Sequence, residues 1–466
     1  MRPLRILVGI ANHGTRNRAH LDRLLAEYAA MPHVVDVHVF CDQARVFPAG
    51  VSVHVGSPTR DPWSLPFAHR PLFARRVDLH DLFVYSEDDT LIETRHIDAF
   101  MAATRVLPPD HVAAFVRYEE DGEGRRSYPD MHGPYRWDAA SVGSSGDYLH
   151  ARFSNDHAAC YVLTQAQLRG ALHSGGYAVA PHGGRYDLLC SAGTDPYTQC
   201  GMKRVVCISH LPDFEVRHLP DAYVRGVGMI GQDCVVVDEA ALRRQVDALG
   251  DVARGTVVGT QLFATEKRLP AARWDKRYHE GLDPLLVSLL PAASADVLSV
   301  GCGSGVLEAH LAAARHRVVA MPLDAVIAAV AARVDVALTV PDLRVAIAAL
   351  ATSAFDVVLL PDVLQHLEDP ADALSRLKPL LREGGLVIGR VPNLAAWRRW
   401  AARLARRPGA ARMGDGWART GLHATSRDWL RRVLAQAGLQ LHREPPGAGR
   451  QPWSSRIHFV ASRIAP

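Results

Sequence analysis

The sequence predicts an α/β protein made of two successive α/β domains. In the C-terminal half, the apolar run 297–300 leads through the glycine-rich turn GCGSG (301–305) into a segment with helical spacing. Such a strand, turn and helix form the first unit of a nucleotide-binding sheet. In the N-terminal half, apolar runs alternate with amphipathic segments, and the run 82–86 stops in Glu87-Asp88-Asp89. This alternation favours a second sheet of mainly parallel strands.

Composition and charge limit the possible functions. Of the 466 residues, 48% are hydrophobic and 22% are charged, which is the balance of an ordinary globular protein. The net charge of +4 is too small to indicate a nucleic-acid partner. The seven cysteines are odd in number and form no C-x-x-C pair, so we expect reduced thiols. No apolar run resembles a signal peptide or a membrane span, and we predict a cytoplasmic protein.

The C-terminal half contains the strands of one complete sheet. The run 355–360 is apolar enough to be buried on both faces, as in a parallel sheet. The other predicted strands are 297–300, 317–321, 335–340, 386–391, 439–444 and 456–462. Together they predict a seven-stranded sheet.

Two motifs carry a family resemblance over about residues 274–445, within a predicted domain of residues 274–466. The turn GCGSG and the stretch FDVVLLPDVLQHLEDPADALSRLKPLLREGGLVIGRVPN (355–393) resemble class I S-adenosylmethionine-dependent methyltransferases of the type 11 and type 23 families. The resemblance implies a Rossmann-like fold with S-adenosylmethionine as cofactor. It places the cofactor-binding residues at Gly301, Cys302, Gly303, Gly305, Asp324, Asp342 and Asp362.

The resemblance is incomplete at the acidic positions. Ser299 stands where the family has an acid in the first strand, and Pro322 stands where it has the ribose-binding acid, with Asp324 two residues later. A carboxylate–hydroxyl bond contributes about 1.5–3 kcal/mol, so its loss weakens donor binding about ten- to a hundredfold. The domain is then either an active methyltransferase or a retained scaffold. His366 and His423 are candidate bases, and His366 has a structural role as its alternative.

In the N-terminal half, a strand predicted to be buried ends in three consecutive acidic residues. Carboxylates so close repel one another unless a cation or hydrogen bonds compensate them. Magnesium and manganese prefer such oxygen ligands and bridge to phosphates. A solvated acidic turn is the alternative interpretation.

Glu87-Asp88-Asp89 resembles the D-x-D motif of GT-A glycosyltransferases, and the N-terminal half (1–225) is therefore expected to have a GT-A-like fold. The resemblance implies that Glu87, Asp89 and His218 hold a divalent metal, and that Ala11, Asn12, Arg70 and Asp88 bind a nucleotide-sugar. Asp195 would act as a base toward the acceptor hydroxyl, with capping of the next helix as the alternative.

Three further segments lack a strong pattern. Residues 108–150 are rich in Gly, Pro, Asp and Ser, which predicts a functional loop or lid. Residues 226–273 form a connector that is helical from 239 to 249. A basic, aromatic segment at 397–412 is either a lid over the substrate pocket or a surface for anionic lipids, and we expect at most peripheral membrane contact.

The sequence therefore predicts a bifunctional transferase of the kind used in polysaccharide biosynthesis. The N-terminal domain would transfer a sugar to a glycan or glycolipid, and the C-terminal domain would methylate the product or a related acceptor. Two alternatives stay open. The N-terminal domain is a non-catalytic glycan-binding module, or the C-terminal domain is an inactive methyltransferase-like module.

Overall fold

The structure is a computed structural model. It describes residues 2–130, 137–153, 155–183, 186–226, 235–256, 282–303, 305–322, 331, 336–339, 343–393, 417, 422–442 and 456–464. The chain forms two compact units, residues 1–243 and 244–466. Among the described residues, no helix is long and apolar enough to cross a bilayer.

The N-terminal unit is a mixed α/β structure. Its described strands are β1 (Arg5–Asn12), β2 (Val34–Cys41), β3 (Val51–Val55), β4 (Leu82–Glu87), β5 (Thr90–Leu91), β6 (His111–Ala113), β7 (Val116–Glu120), β8 (Arg126–Asp130), β9 (Trp137–Ser145), β10 (Tyr148–Phe153), β11 (Cys160–Thr164), β12 (Lys203–Cys207), β13 (Glu215–His218) and β14 (Val235–Asp238). Its described α-helices are α1 (Arg18–Ala30), α2 (Arg70–Arg76), α3 (Thr94–Thr104), α4 (Gln165–His173), α5 (Leu188–Thr198) and α6 (Glu239–Ala253), the last of which continues past residue 243.

The sheet predicted at the start of the chain is confirmed. Its strand order is β11-β4-β1-β2-β3, with β1 to β4 parallel and β11 antiparallel to β4. Strand β1 is buried on both faces, because Ile6, Leu7 and Val8 are all fully inaccessible. Helix α1 packs its apolar stripe, which includes Leu21, Leu24, Leu25 and Tyr28, against the core.

The predicted loop or lid at 108–150 is wrong. This segment contains β6 to β10, which belong to two further sheets of order β6-β12-β10-β9 and β14-β8-β7-β13-β5. The strands escaped prediction because several partners are distant in sequence; β6, for example, pairs with β12. In addition, β9 has the sequence WDAASVGSS, whose serines and glycine have low strand propensity.

The N-terminal unit extends beyond the predicted boundary at residue 225. Strand β14 pairs antiparallel with β8, from Val235 opposite Asp130 to Asp238 opposite Ser127. Residues assigned from the sequence to a connector therefore complete a sheet of this unit. The structure confirms the helix predicted at 239–249 and ends it at Ala253.

The C-terminal unit has the predicted seven-stranded sheet. Its strands are β15 (Asp296–Cys302), β16 (Arg317–Pro322), β17 (Ala337–Leu338), β18 (Phe355–Pro361), β19 (Leu381–Pro392), β20 (Leu439–Leu441) and β21 (Arg456–Arg463). They follow the order β17-β16-β15-β18-β19-β21-β20, in which β21 runs antiparallel to β19 and β20. The described helices are α7 (Pro284–Ser288), α8 (Val306–Ala313), α9 (Leu343–Ala349), α10 (Pro370–Leu377) and α11 (Arg427–Gln436).

This sheet is buried on both faces. Alternate residues of its central strands point to opposite sides. Leu298, Leu360 and Phe459 belong to the core on one face, and Val297 and Val357 belong to the core on the other. The two-sided core fixes the strand ends, where the candidate site residues lie.

Candidate functional site

The glycine-rich turn of the C-terminal unit lies at the carboxyl end of the central strand β15. Gly301 and Gly305 have φ angles of +78° and +86°, a region that side-chain-bearing residues rarely adopt. Gly305 caps the N-terminus of α8. Strand β15 is flanked by β16 and β18, so the strand order reverses at this turn. Ligands of open α/β sheets bind at such a reversal.

The structure brings four predicted cofactor residues together in this turn, namely Gly301, Cys302, Gly303 and Gly305. Cys302 is buried at the end of β15. The other two predicted donor acids near the second and third strands, Asp324 and Asp342, lie outside the described residues, as does the basic segment 397–412. Their roles stay predictions.

A buried polar pair lies next to the turn. The Ser299 hydroxyl donates a hydrogen bond of 2.6 Å to the Glu308 carboxylate, and neither side chain is more than 1% exposed. Glu308 lies in the first turn of α8. Sequence reasoning missed it; the available signal was an acid inside the apolar start of a helix.

Asp362 follows β18 and is held in a strained turn. Its φ angle is +54°, which is costly for a residue other than glycine. The buried guanidinium of Arg390, on β19, donates to the Asp362 carboxylate over 2.8 and 2.6 Å. Its remaining terminal nitrogen lies 2.7 Å from Asp283, which caps α7. Arg390, which sequence reasoning missed, thereby ties β19 to two loops.

His458, on β21, completes this group. Its ring lies 2.8 Å from Asp283. Burial opposes ionisation of Asp283, but the hydrogen bonds from His458 and from the Leu286 backbone outweigh it and lower the pKa of this carboxyl. The carboxylates of Asp283 and Asp362 thus share the cation Arg390 at the carboxyl edge of the sheet.

The two candidate bases of this unit support the loop after β18. His366 is buried, and its carbonyl accepts a hydrogen bond of 2.9 Å from the Trp417 indole. The His423 ring lies 2.8 Å from the Leu367 carbonyl. These contacts fit the structural alternative, and catalysis by either histidine stays a prediction.

The N-terminal unit has a cavity of about 330 Å³ at the carboxyl ends of β1 and β4. Its walls come from the ends of β1 and β4, the start of α1, the segment before α2 and the start of α5. They are formed by Ala11, His13, Asn17, Pro62, Trp63, Leu65, Pro66, Glu87, Asp88, Asp89 and Leu189. The predicted residues Ala11, Glu87, Asp88 and Asp89 therefore share one cavity, because Ala11 and Glu87 are register partners on neighbouring parallel strands.

Two asparagines bind the acidic cluster. The Asn12 amide donates to Asp88 over 2.6 Å. The Asn17 amide donates to Asp88 over 2.7 Å and to Asp89 over 2.9 Å. The Oδ1 atom of Asp89 is buried and accepts no hydrogen bond from the described residues. This oxygen keeps its full capacity to accept a cation.

The three acids have different charge states. Burial and the nearby Asp89 charge raise the pKa of Glu87 to about 8 and that of Asp88 to about 6. Burial also opposes ionisation of Asp89, but the hydrogen bond from His218 outweighs it and lowers its pKa. At neutral pH, Asp89 and most of Asp88 are therefore ionised, whereas Glu87 stays largely protonated.

His218 lies between two carboxylates. Its Nε2 atom is 3.4 Å from Asp89, and its Nδ1 atom is 2.5 Å from the fully buried Glu119. Burial disfavours its charged form, but these hydrogen bonds outweigh burial and raise its pKa. A protonated ring has no lone pair for a metal, so metal binding by His218 requires loss of the proton that both acids stabilise.

Arg70 and Asp195 do not line the cavity. They form a buried ion pair of 2.7 Å, and His182 lies 3.0 Å from the same carboxylate. Arg70, which was expected to bind the nucleotide-sugar, is instead paired with Asp195, because the buried guanidinium needs a counter-charge. The capping alternative for Asp195 is wrong, since Asp187 caps α5 and Asp195 lies within it. Its role as a base stays a prediction.

The acidic cluster satisfies part of a metal site. Within the ranges that the structure describes, no group of three or more His, Cys, Asp or Glu side chains is arranged to hold a metal ion. The buried, unpaired oxygen of Asp89 nevertheless fits a cation. Phosphate or water oxygens would have to complete the coordination of a hard cation here.

Comparisons with known proteins identify the C-terminal segment. Residues 274–444 match the methyltransferase domain family. An uncharacterized methyltransferase of Mycobacterium tuberculosis is 36% identical over 117 residues, which are 24% of this chain and 57% of that protein. The ubiquinone biosynthesis O-methyltransferase of Albidiferax ferrireducens is 32% identical over 106 residues, 22% of this chain and 42% of that protein. The chain thus spans about half the length of these relatives.

One solved structure that is similar to part of the chain is a methyltransferase. Magnesium protoporphyrin IX methyltransferase from Synechocystis, with bound S-adenosylhomocysteine, is 20% identical, with a TM-score of 0.30. The alignment covers 39% of this chain and 80% of that one. The family match shows a methyltransferase domain at 274–444.

Proposed function

We propose that residues 274–444 catalyse methyl transfer from S-adenosylmethionine to a hydroxyl group. The observation that carries this proposal is the left-handed glycine turn at the strand reversal, inside a segment that matches the methyltransferase domain family. The name of the O-methyltransferase relative supports an oxygen acceptor.

The protein's contribution to such a reaction is mainly positioning. The donor supplies a methyl group on a sulfonium, which is already a good leaving group, so alignment of the reactants provides much of the acceleration. The glycine turn, in which Gly301 and Gly305 have positive φ, would hold the donor at the carboxyl end of β15. Asp362, fixed by Arg390 at the end of the neighbouring strand, offers a rigid carboxylate at the same edge.

Isothermal titration of the full chain with S-adenosylmethionine tests this proposal. We expect micromolar binding that is abolished in Gly303→Asp, whose carboxylate would fill the turn. Wild-type protein that gives neither heat nor a thermal shift would contradict the proposal and favour the inactive-module alternative.

We also propose that the cavity of the N-terminal unit binds a nucleotide-sugar with a divalent metal for sugar transfer. Support comes from its position at the carboxyl edge of a parallel sheet, from Asp88 and Asp89, and from the unpaired Asp89 oxygen. The exposed indole of Trp63 on the same wall suits a sugar or base ring. With both proposals, the protein would glycosylate an acceptor and methylate the product.

Asp89→Asn separates sugar transfer from the glycan-binding alternative. Wild-type protein should bind a nucleotide-sugar only when manganese is present. In the variant, manganese should no longer promote binding of the nucleotide-sugar. Metal-independent binding of free glycan, unchanged in Asp89→Asn, would support a non-catalytic module.

The proposed coupling of the two reactions has its own test. If the fused chain channels its product, it should methylate a glycan formed in situ faster than an equimolar mixture of the separated units. Equal rates would contradict coupling and leave the two activities independent.

A further inference from the structure

We propose that Glu308, held by Ser299, binds the ammonium group at the amino-acid end of the methyl donor. This inference rests on the proposed methyl-transfer function and assigns a subsite within that site. It gives a role to a residue that the sequence pattern did not single out.

The first observation is the position of the pair. Ser299 lies on β15 two residues before Gly301, and Glu308 lies three residues after Gly305. The two side chains therefore bracket the glycine turn from the strand and from the helix. Their hydrogen bond of 2.6 Å joins these two elements directly beside the proposed donor site.

The second observation is the surroundings of the Glu308 carboxyl group. The side chain is 1% exposed, and the described part of the chain gives its carboxylate one hydrogen bond, from the neutral Ser299 hydroxyl, and no cationic partner. A buried carboxylate is costly without a counter-charge, and the N-terminal end of a helix offsets only part of that cost. A cationic ligand group would complete the site.

The donor has the complementary chemistry. Its amino-acid end carries an ammonium group, which needs acceptors when it leaves water. Ser299 occupies the strand position where an acid was expected, and its hydroxyl touches an acid from the following helix. The acidic group therefore lies on α8 instead of on β15, and a hydrogen bond connects it to the strand.

Two thioethers that differ in the ammonium group provide the test. S-adenosylhomocysteine contains the amino-acid end, whereas 5′-methylthioadenosine lacks it, and the sulfur is uncharged in both. The full chain, Glu308→Gln and Ser299→Asp/Glu308→Gln are titrated calorimetrically with each compound. Glu308→Gln keeps the size of the side chain and an oxygen that can accept the Ser299 hydrogen bond while removing the charge.

We expect Glu308→Gln to weaken S-adenosylhomocysteine binding at least tenfold and to leave methylthioadenosine binding within about twofold, as loss of one charge-assisted bond predicts. The double variant returns a carboxylate to the strand and should recover most of the lost affinity.

Three results would overturn the inference. Equal binding of S-adenosylhomocysteine by wild type and Glu308→Gln would show an uncharged core pair. Equal weakening of both compounds would show a structural role for Glu308. A wild-type chain that binds neither compound would contradict the proposed function as well, so the two failures are distinguishable.

Discussion

Each buried charged residue of the N-terminal unit has its own set of partners. Those partners determine whether the residue stabilises the fold or is available to a ligand. Asp195 pairs with Arg70 inside the protein, whereas Asp89 lines the cavity and has one oxygen without a hydrogen bond from the described residues. Both are buried aspartates of the same unit. Only Asp89 belongs to the wall of the cavity.

Asp195→Ala should therefore lower the stability of the N-terminal unit. Arg70 would stay buried without its counter-ion, which costs about 3–5 kcal/mol of unfolding free energy. Urea unfolding followed by circular dichroism measures this loss. Arg70→Met/Asp195→Leu serves as the control and should lose much less. Unchanged stability together with abolished sugar transfer would instead assign Asp195 the role of a base.

The stability of the N-terminal unit should fall as pH rises from about 7 to about 8, where buried histidines with lowered pKa values, such as His69, His96 and His157, are neutral in the folded and unfolded states alike. Glu87, with a pKa of about 8, keeps a proton in the folded state that the unfolded chain has already released, and Asp88, with a pKa of about 6, adds a smaller effect of the same sign. His218, whose pKa is raised, changes stability in the same direction. Across this range, the melting temperature of Glu87→Gln should fall less steeply with pH than that of the wild-type protein. An unaltered slope would contradict the protonation assigned to Glu87.

Gly305→Ala and Gly384→Ala form a matched pair for the donor site. Both glycines have positive φ, +86° and +74°, and Gly384 lies in open space within β19. Each substitution should cost about 1 kcal/mol of stability through backbone strain. Only Gly305→Ala should also weaken S-adenosylmethionine binding, measured by calorimetry. Equal affinities of the two variants for S-adenosylmethionine would show that the turn is not part of the donor site.

At the scale of elements, the predictable strands are those buried on both faces. β1, β4, β15 and β18 read as continuous apolar runs, because each lies in the middle of a sheet. The strands between residues 108 and 150 have polar residues, and several of them also pair with strands distant in sequence, so local sequence does not reveal them. The same limit applies to the site: the glycine turn is local, whereas the contacts of Glu308 and Arg390 depend on the packing of separate elements.

Arg390 is the residue through which β18, β19, β21 and α7 are joined at one edge. Arg390→Met should leave Asp283 and Asp362 without their shared cation and destabilise the C-terminal unit by about 3–5 kcal/mol. Guanidinium unfolding measures the loss, and Arg390→Lys, which keeps the charge without the planar fork, should recover part of it. Wild-type stability in Arg390→Met would show that the group is not a structural clamp.

At the scale of the whole molecule, the chain divides where its sheets end. β14 belongs to the N-terminal unit by its pairing with β8, and α6, which follows it, carries Arg243 to within 3.3 Å of the buried Glu215. An N-terminal unit cut before β14 therefore loses a strand and a counter-charge together.

A fragment of residues 1–256 should consequently melt at a higher temperature than a fragment of residues 1–225. The longer fragment keeps β14 and Arg243, and the shorter one leaves β8 as an unpaired edge. Differential scanning calorimetry of the two fragments gives the comparison. Identical melting temperatures would show that the pairing of β14 contributes nothing to the stability of the unit.

The indole of Trp63 gives the N-terminal cavity a built-in optical signal. It is 54% exposed and forms a wall with Pro62, Leu65 and Pro66. A water-exposed indole emits at longer wavelength than a covered one, so a molecule that enters the cavity would shift the fluorescence of the protein toward the blue. Occupancy of this cavity can thus be followed in solution without labelling the protein or knowing in advance which ring it takes.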